Sequence, residues 1–130
     1  PYIIEQRELD DWVHVVSKNL FKSKKLDSIL FKELQSVGTE LIGVKVGKEL
    51  VGTSMLYYDC SGRAGIYMVS TNEPFRGRGL AKSMMRFCME RVKRKHNKIC
   101  YLQATRMAVP LYESLGFTNT GTCFLYWKIK

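Results

Sequence analysis

The stretch "AGIYMVSTNEPFRGRGLAKSM", residues 64–84, runs from a β-rich segment through a Gly-x-Gly loop into an amphipathic run, and this junction constrains the fold more than any other feature. A strand that turns through glycines into a helix leaves the first-turn backbone N–H groups unpaired and aimed at the space before the helix. The helix dipole adds partial positive charge there, and Gly77 and Gly79 carry no side chain to hold an anion off the backbone. Arg76, Arg78 and Lys82 bring full charges to the same place. Such a loop suits a phosphate, and a pyrophosphate better, because consecutive amides grip both groups. Two familiar phosphate loops do not fit. The G-x-x-x-x-G-K-[ST] pattern is absent, and G-x-G-x-x-G fails because Lys82 occupies its last position and no short parallel crossover precedes it.

Hydrophobic periodicity supplies the neighbouring elements. "YIIEQ" reads as a short strand, and Leu9, Trp12, Val13, Val16, Leu20 and Phe21 then recur at the spacing of one helical face. A second face follows at Leu26, Ile29, Leu30, Leu34 and Val37, with Gly38 placed to end the helix. "ELIGVKV" and "LVGTSMLYYD" flank Gly47-Lys48-Glu49 as a hairpin, and the turn "CSGR" leads into a third strand, "AGIYMVST". After the glycine loop, Leu80, Met84, Phe87, Cys88, Arg91 and Val92 outline a helix closed by the cations of "KRKHNK". "ICYLQA" is a buried strand, "VPLYESLGF" a short helix between Pro110 and Gly116, and "TCFLYWKI" a last aromatic strand. The order β-α-α-β-β-β-α-β-α-β implies a mixed α/β sheet with helices packed on it.

At 130 residues and 15.0 kDa the chain is the size of one domain, 1–130, with one real core and no linker. It opens at Pro1 rather than Met, as a processed chain or a piece of a longer protein does. A formal net charge of +9 favours anionic partners without naming one. Cys60, Cys88, Cys100 and Cys123 have no paired spacing, and His14 and His96 stand apart from them, so neither a metal site nor a disulfide framework is expected. No apolar run approaches the roughly 20 residues needed to span a bilayer, and no signal-peptide pattern opens the chain. The expectation is a cytoplasmic protein with no membrane partner.

The residues of the loop carry a resemblance. "RGRGLA" resembles the Arg/Gln-x-x-Gly-x-Gly/Ala signature of the GNAT N-acetyltransferase superfamily, with Arg76, Gly79 and Ala81 in its three fixed positions. "PLYESLGF" is similar to the second family motif, Leu-Tyr-Glu-x-x-Gly-Phe, and the element order matches the family fold along nearly the whole chain. The resemblance implies a mixed, mostly antiparallel sheet that splays into a V between the fourth and fifth strands. It further implies acetyl-CoA as cosubstrate in that opening, with no metal. Backbone groups of Val69, Ser70 and Thr71 would pair with the pantetheine arm like an added strand, and amides from Gly77 through Arg78, Gly79, Leu80, Ala81 and Lys82 would hold the pyrophosphate. A primary amine would attack the thioester directly in a ternary complex, a main-chain donor on the fourth strand would stabilise the oxyanion, and Tyr112 would protonate the leaving thiolate. The acceptor is an amine of a small molecule or a protein, and the chain acts as a monomer or homodimer.

Three departures from the family pattern stand out. Thr105 occupies the position that often carries Asn, so a cofactor contact there has a shorter reach. Neither "AGIYMVST" nor "ICYLQA" contains a carboxylate, which leaves the general base unassigned among Glu73, Asp59 and a water relayed through Ser70 or Tyr67. After Gly116 there is chain for about one long strand where the family commonly has two, so the extra strand is expected to be absent or supplied by a partner. Two rivals follow from the same residues. A catalytically silent CoA-binding domain would keep the loop without a working base. A nucleic-acid module would use Lys82, Arg86, Lys93, Arg94, Lys95 and Lys98, but the one Phe, Tyr or Trp among these charges, Phe87, belongs to the apolar stripe and makes no stacking platform, and a solvated helix face explains them better. Cys88, Cys100, Met68, Met84, Met85 and Met89 read as core, and Trp12 and Tyr57 as core before acceptor pocket.

Overall fold

The computed structural model describes residues 1–22, 26–59, 61–121 and 124–129. Their sheet has seven strands in the order β1-β2-β3-β4-β5-β7-β6. The strands are β1 (Tyr2–Ile3), β2 (Glu40–Val46), β3 (Glu49–Tyr58), β4 (Arg63–Thr71), β5 (Ile99–Gln103), β6 (Thr118–Asn119) and β7 (Phe124–Lys128). The helices are α1 (Leu9–Leu20), α2 (Ser28–Ser36), α3 (Leu80–Arg94) and α4 (Val109–Ser114). All neighbouring strands are antiparallel except β4 and β5, which run parallel. The β4–β5 ladder pairs only Arg63–Ile66 with Ile99–Leu102, after which β4 continues to Thr71 on β3 alone. The sheet therefore opens into the expected V at the C-terminal ends of these two strands.

Each face of the sheet carries its own cluster. Met84, Met85, Cys88 and Val92 of α3 are fully buried against Ile42, Leu56, Ala64 and Cys100, in one cluster with Tyr112 of α4 and Phe117 just after it. Full burial of each such side chain is worth about 1.5–3 kcal/mol. On the other face α1 buries Trp12 and Val16 against Leu41 and Met55. Trp12 is core rather than pocket: its Nε1 donates to the Ile42 carbonyl at 2.9 Å and its ring meets Phe31 edge-on, with centroids 5.2 Å apart.

At the end of the sheet where the V is closed, α3 is tied to β2 and β3 by an ionic cluster. Glu40 accepts from the Tyr58 hydroxyl at 2.6 Å and from Arg91 through both of its oxygens, with Lys95 Nζ at 3.4 Å. Burial pushes the Glu40 carboxyl up, but the hydrogen bonds from Arg91 and Tyr58 outweigh it and hold the carboxyl below its usual range.

Two expectations need correction. The inward face of the second helix is not Ile29, Leu30 and Val37, which are 65%, 53% and 78% exposed; Phe31 is the buried residue, with Leu26 and Leu34 packed beside it. α2 is only nine residues long, capped where Asp27 accepts from the Ile29 amide, so one narrow stripe meets α1 and β2 and its other apolar residues face outward. The chain also supplies its own penultimate strand. The two residues of β6 pair with β7, Thr118 opposite Tyr126 and Asn119 opposite Leu125, so no partner is needed to provide it. Cys88 and Cys100 are buried as expected, while Cys60 and Cys123 lie outside the described residues.

Candidate active site

Leaving the sheet, β4 passes through a turn of 3-10 helix, Glu73–Phe75, into the glycine loop. Arg76 folds back along the chain, and its Nε donates to the Thr71 carbonyl at 2.8 Å, tying the loop to the strand it left. Gly77 and Gly79 both adopt φ of 78°, in the left-handed region that side-chain-bearing residues avoid, and a Cβ on either would meet nothing within 4 Å. They are glycines for their backbone angles, and the space in front of them is open. Ser83 N donates to the Gly79 carbonyl at 3.0 Å as the first bond of α3. Among the described residues, the amides from Gly77 through Lys82 have no backbone acceptor. They border a hollow of about 320 Å³ that Thr71, Arg76, Ala81 and Lys82 also line. The donor set fits a pyrophosphate: free amides at a helix N-terminus, flanked by Arg76 and Lys82, with no carboxylate in the lining.

A second hollow, of about 430 Å³, fills the V. Tyr67, Met68 and Val69 line one wall, Gln103, Ala104 and Thr105 the other, and Tyr112, Ala108 and Leu20 complete it. Tyr112 is 6% exposed, its ring edge-on to Phe117, and its hydroxyl has no hydrogen-bond partner among the described residues. Burial pushes its pKa up, and the neighbouring Cys88 thiol adds to the shift. The Tyr112 hydroxyl thus stays protonated and free to donate. Cys88 itself is pushed up to about 11, chiefly by burial, so it is an inert core thiol that shares a hydrogen bond with Ser54.

β4 contains a bulge that sequence reasoning missed. Met55 pairs with Tyr67 and Thr53 with Ser70, so Met68 and Val69 together oppose the single residue Ser54. Met68 takes φ of 56° there, unusual for a residue with a side chain. Thr53 holds the bulge: its hydroxyl donates to the Met68 carbonyl at 2.8 Å and therefore accepts from the Ser70 hydroxyl at 2.6 Å. Nothing in the residue types announces this, since a bulge carried on methionine lacks the glycine that usually marks one. The bulge turns the Tyr67–Val69 backbone at the mouth of the V, where β4 has no strand neighbour on its β5 side.

Most predicted site residues come together. Val69, Thr105 and Tyr112 line the V, and Thr71, Arg76, Gly77, Gly79, Leu80, Ala81 and Lys82 line the hollow at the loop. Two side chains do not join them. The Ser70 hydroxyl is spent on Thr53, which removes it as a proton relay, and the Arg78 guanidinium lies over the Phe75 ring, 5.2 Å from its centroid. Thr105 shapes the wall through its carbonyl, which accepts from Ala108 and Val109 at the start of α4. No carboxylate lines the V among the described residues; Asp59 is occupied in its own turn by Ser61 and Arg63, and Glu73 is exposed in the 3-10 turn. Among the described residues, no group of three or more His, Cys, Asp or Glu is placed to hold a metal ion, and no helix is long and apolar enough to cross a membrane.

This geometry has close counterparts among solved structures. The ribosomal-protein-S18-alanine N-acetyltransferase of Escherichia coli superposes with a TM-score of 0.82 at 13% identity, covering 99% of this chain and 92% of that one. An N-acetyltransferase of Staphylococcus aureus Mu50 gives a TM-score of 0.85 at 10% identity, covering 99% and 97%. The PaiA N-acetyltransferase of Thermoplasma acidophilum, solved in complex with coenzyme A, gives 0.80 at 15% identity, covering 98% and 97%. At these identities the likeness is one of fold. No curated protein matches the chain in sequence. The family model for the acetyltransferase (GNAT) domain matches residues 13–125, a span that takes in both walls of the V and the glycine loop. The chain therefore belongs to the GNAT acetyltransferase family, acyltransferases that draw on acetyl-CoA.

Proposed function

We propose that this protein transfers an acetyl group from acetyl-CoA to a primary amine, with both substrates bound together in the V. The observation that carries the reading is the run of unpaired amides from Gly77 through Lys82, set beside a β4 edge that has lost its strand neighbour. Acetyl-CoA would supply the activated thioester. Gly77–Lys82 amides with Arg76 and Lys82 would hold its pyrophosphate, while backbone groups of Val69, Ser70 and Thr71 and the Thr105 side chain would hold the arm. The bulge at Met68 and Val69 supports a role for β4 main-chain donors, which would face the developing oxyanion, and Tyr112 would donate its proton to the departing sulfur. With no carboxylate in the lining among the described residues, the attacking amine would lose its proton to water at the open side of the V, by Tyr67.

Titration calorimetry with acetyl-CoA tests the reading, run beside Gly79→Glu, whose carboxylate enters the open space before the loop. Binding by the native chain that is lost in the variant supports the site. No binding by the native chain would sink the reading. The lack of a carboxylate also favours a second one, a CoA-binding domain without turnover. An amine panel that yields no thiol release from a chain that binds acetyl-CoA would select it.

A further inference from the structure

Helices cover one face of the sheet at β5 and β7, through Cys100, Leu102, Leu125 and Trp127, but no described element packs on the other. That open face carries a transverse aromatic row. Tyr57 on β3 is paired with Gly65 on β4, Gly65 with Tyr101 on β5, and Tyr101 with Tyr126 on β7, and residues directly opposite each other share a face. With strands about 4.8 Å apart, the row spans about 14 Å. Gly65 is its one gap, and the gap is used: a Cβ there would lie 2.6 Å from the Tyr67 ring and 2.8 Å from that of Tyr101. The two rings lean over the glycine and meet edge-on, with centroids 6.4 Å apart. Tyr67 also lines the V, so the row is continuous with the candidate site. Tyr57 and Tyr67 are each 40% exposed, so part of each ring is open to a ligand, and the rings of the row lie next to one another rather than scattered.

We propose that this row is the acceptor platform and that it selects an amine carrying an aromatic ring. The inference rests on the acetyl-transfer reading above. Charge decides between a ring and a polycation. The carboxylate whose charge reaches Tyr101 is Asp59, and it is already satisfied by the Ser61 hydroxyl and amide, the Arg63 amide and the nearby Arg63 charge. Tyr101, at the centre of the row, therefore has no unsatisfied carboxylate beside it among the described residues to draw a cationic tail, and the chain as a whole carries +9. It offers ring edges and faces at neighbouring strand positions, which favour an aromatic group over an aliphatic group of equal size.

Calorimetric titration of phenethylamine against 2-cyclohexylethylamine, with and without bound CoA, tests this directly. The expected result is binding of phenethylamine about threefold to tenfold tighter. That preference disappears in Tyr101→Leu and in Tyr126→Leu, while acetyl-CoA affinity, which also reports the fold of each variant, is unchanged. Equal affinities, tighter binding of the cyclohexyl amine, or a preference that survives both substitutions would overturn the proposal. So would tight capture of a 12-residue oligouridylate that Tyr101→Leu abolishes, since the row would then stack bases. A chain that takes up no acetyl-CoA yet prefers phenethylamine would fail the acetyl-transfer reading and leave the platform standing as an aromatic-amine site.

Discussion

The Thr53 hydroxyl donates to the carbonyl of Met68 at 2.8 Å, and through that bond a residue of β3 holds the β4 backbone in a left-handed bulge at the mouth of the V. Thr53→Val keeps the shape and removes the bond, leaving the buried Ser70 hydroxyl without its acceptor as well. The expected cost is about 1–3 kcal/mol in urea unfolding. In the proposed reaction the same bond would aim the main-chain donors of the bulge, so kcat should fall more than acetyl-CoA affinity does. Equal losses in both would show that the bulge acts only on stability.

Gly79 is required for its φ of 78° and not for want of room. Gly79→Ala should cost about 1–2 kcal/mol of stability and weaken acetyl-CoA binding, and Gly79→Asn should recover part of both, since asparagine tolerates the left-handed region. Thermal unfolding and calorimetry on the two variants check it.

Tyr112→Phe removes the only hydroxyl that the buried α4 tyrosine brings into the V. As a general acid it should be worth about 10²–10⁴ in kcat, with little effect on acetyl-CoA affinity. Burial raises its pKa, so the protonated, active form persists through the ordinary tyrosine value of about 10 and is lost only above it. The alkaline limb of the native kcat profile should therefore lie above pH 10 and be missing from the variant.

Glu40 offers a stability test remote from the chemistry. Its carboxyl is held low by Arg91 and Tyr58, so its contribution is present above the unfolded value of about 4.3 and is lost as pH falls through the folded value. Glu40→Gln should cost about 1–3 kcal/mol at pH 7, less than a fully buried pair because Arg91 is partly exposed, and should flatten the acid limb of the stability curve. Acetyl-CoA affinity should not change, since the pair sits at the closed end of the V.

Gly65→Ala places a methyl group against the Tyr67 and Tyr101 rings. Their edge-on arrangement must shift, and the KM for an aromatic acceptor should rise several-fold while that for acetyl-CoA stays constant.

What the amino-acid sequence determined by itself is local. The turn angles that only glycine adopts freely at Gly77 and Gly79, the amphipathic stripe of α3, and the Leu-Tyr-Glu order around Tyr112 are all written within a few residues, so loop, helix and family motif were legible there. Element order followed from the same signals, and even the short β6 was missed only because two residues give no periodicity. Tertiary structure decided the rest. Which stripe of α2 faces inward depends on the neighbours it meets, and Phe31 prevails because Trp12 waits for it across the interface. The bulge at Met68 depends on a hydroxyl fifteen residues earlier in the chain. The tyrosine row comes into being only when four strands align Tyr57, Gly65, Tyr101 and Tyr126 across the sheet. Strand register is a long-range choice, set by packing on both faces at once, and no local window of sequence contains it.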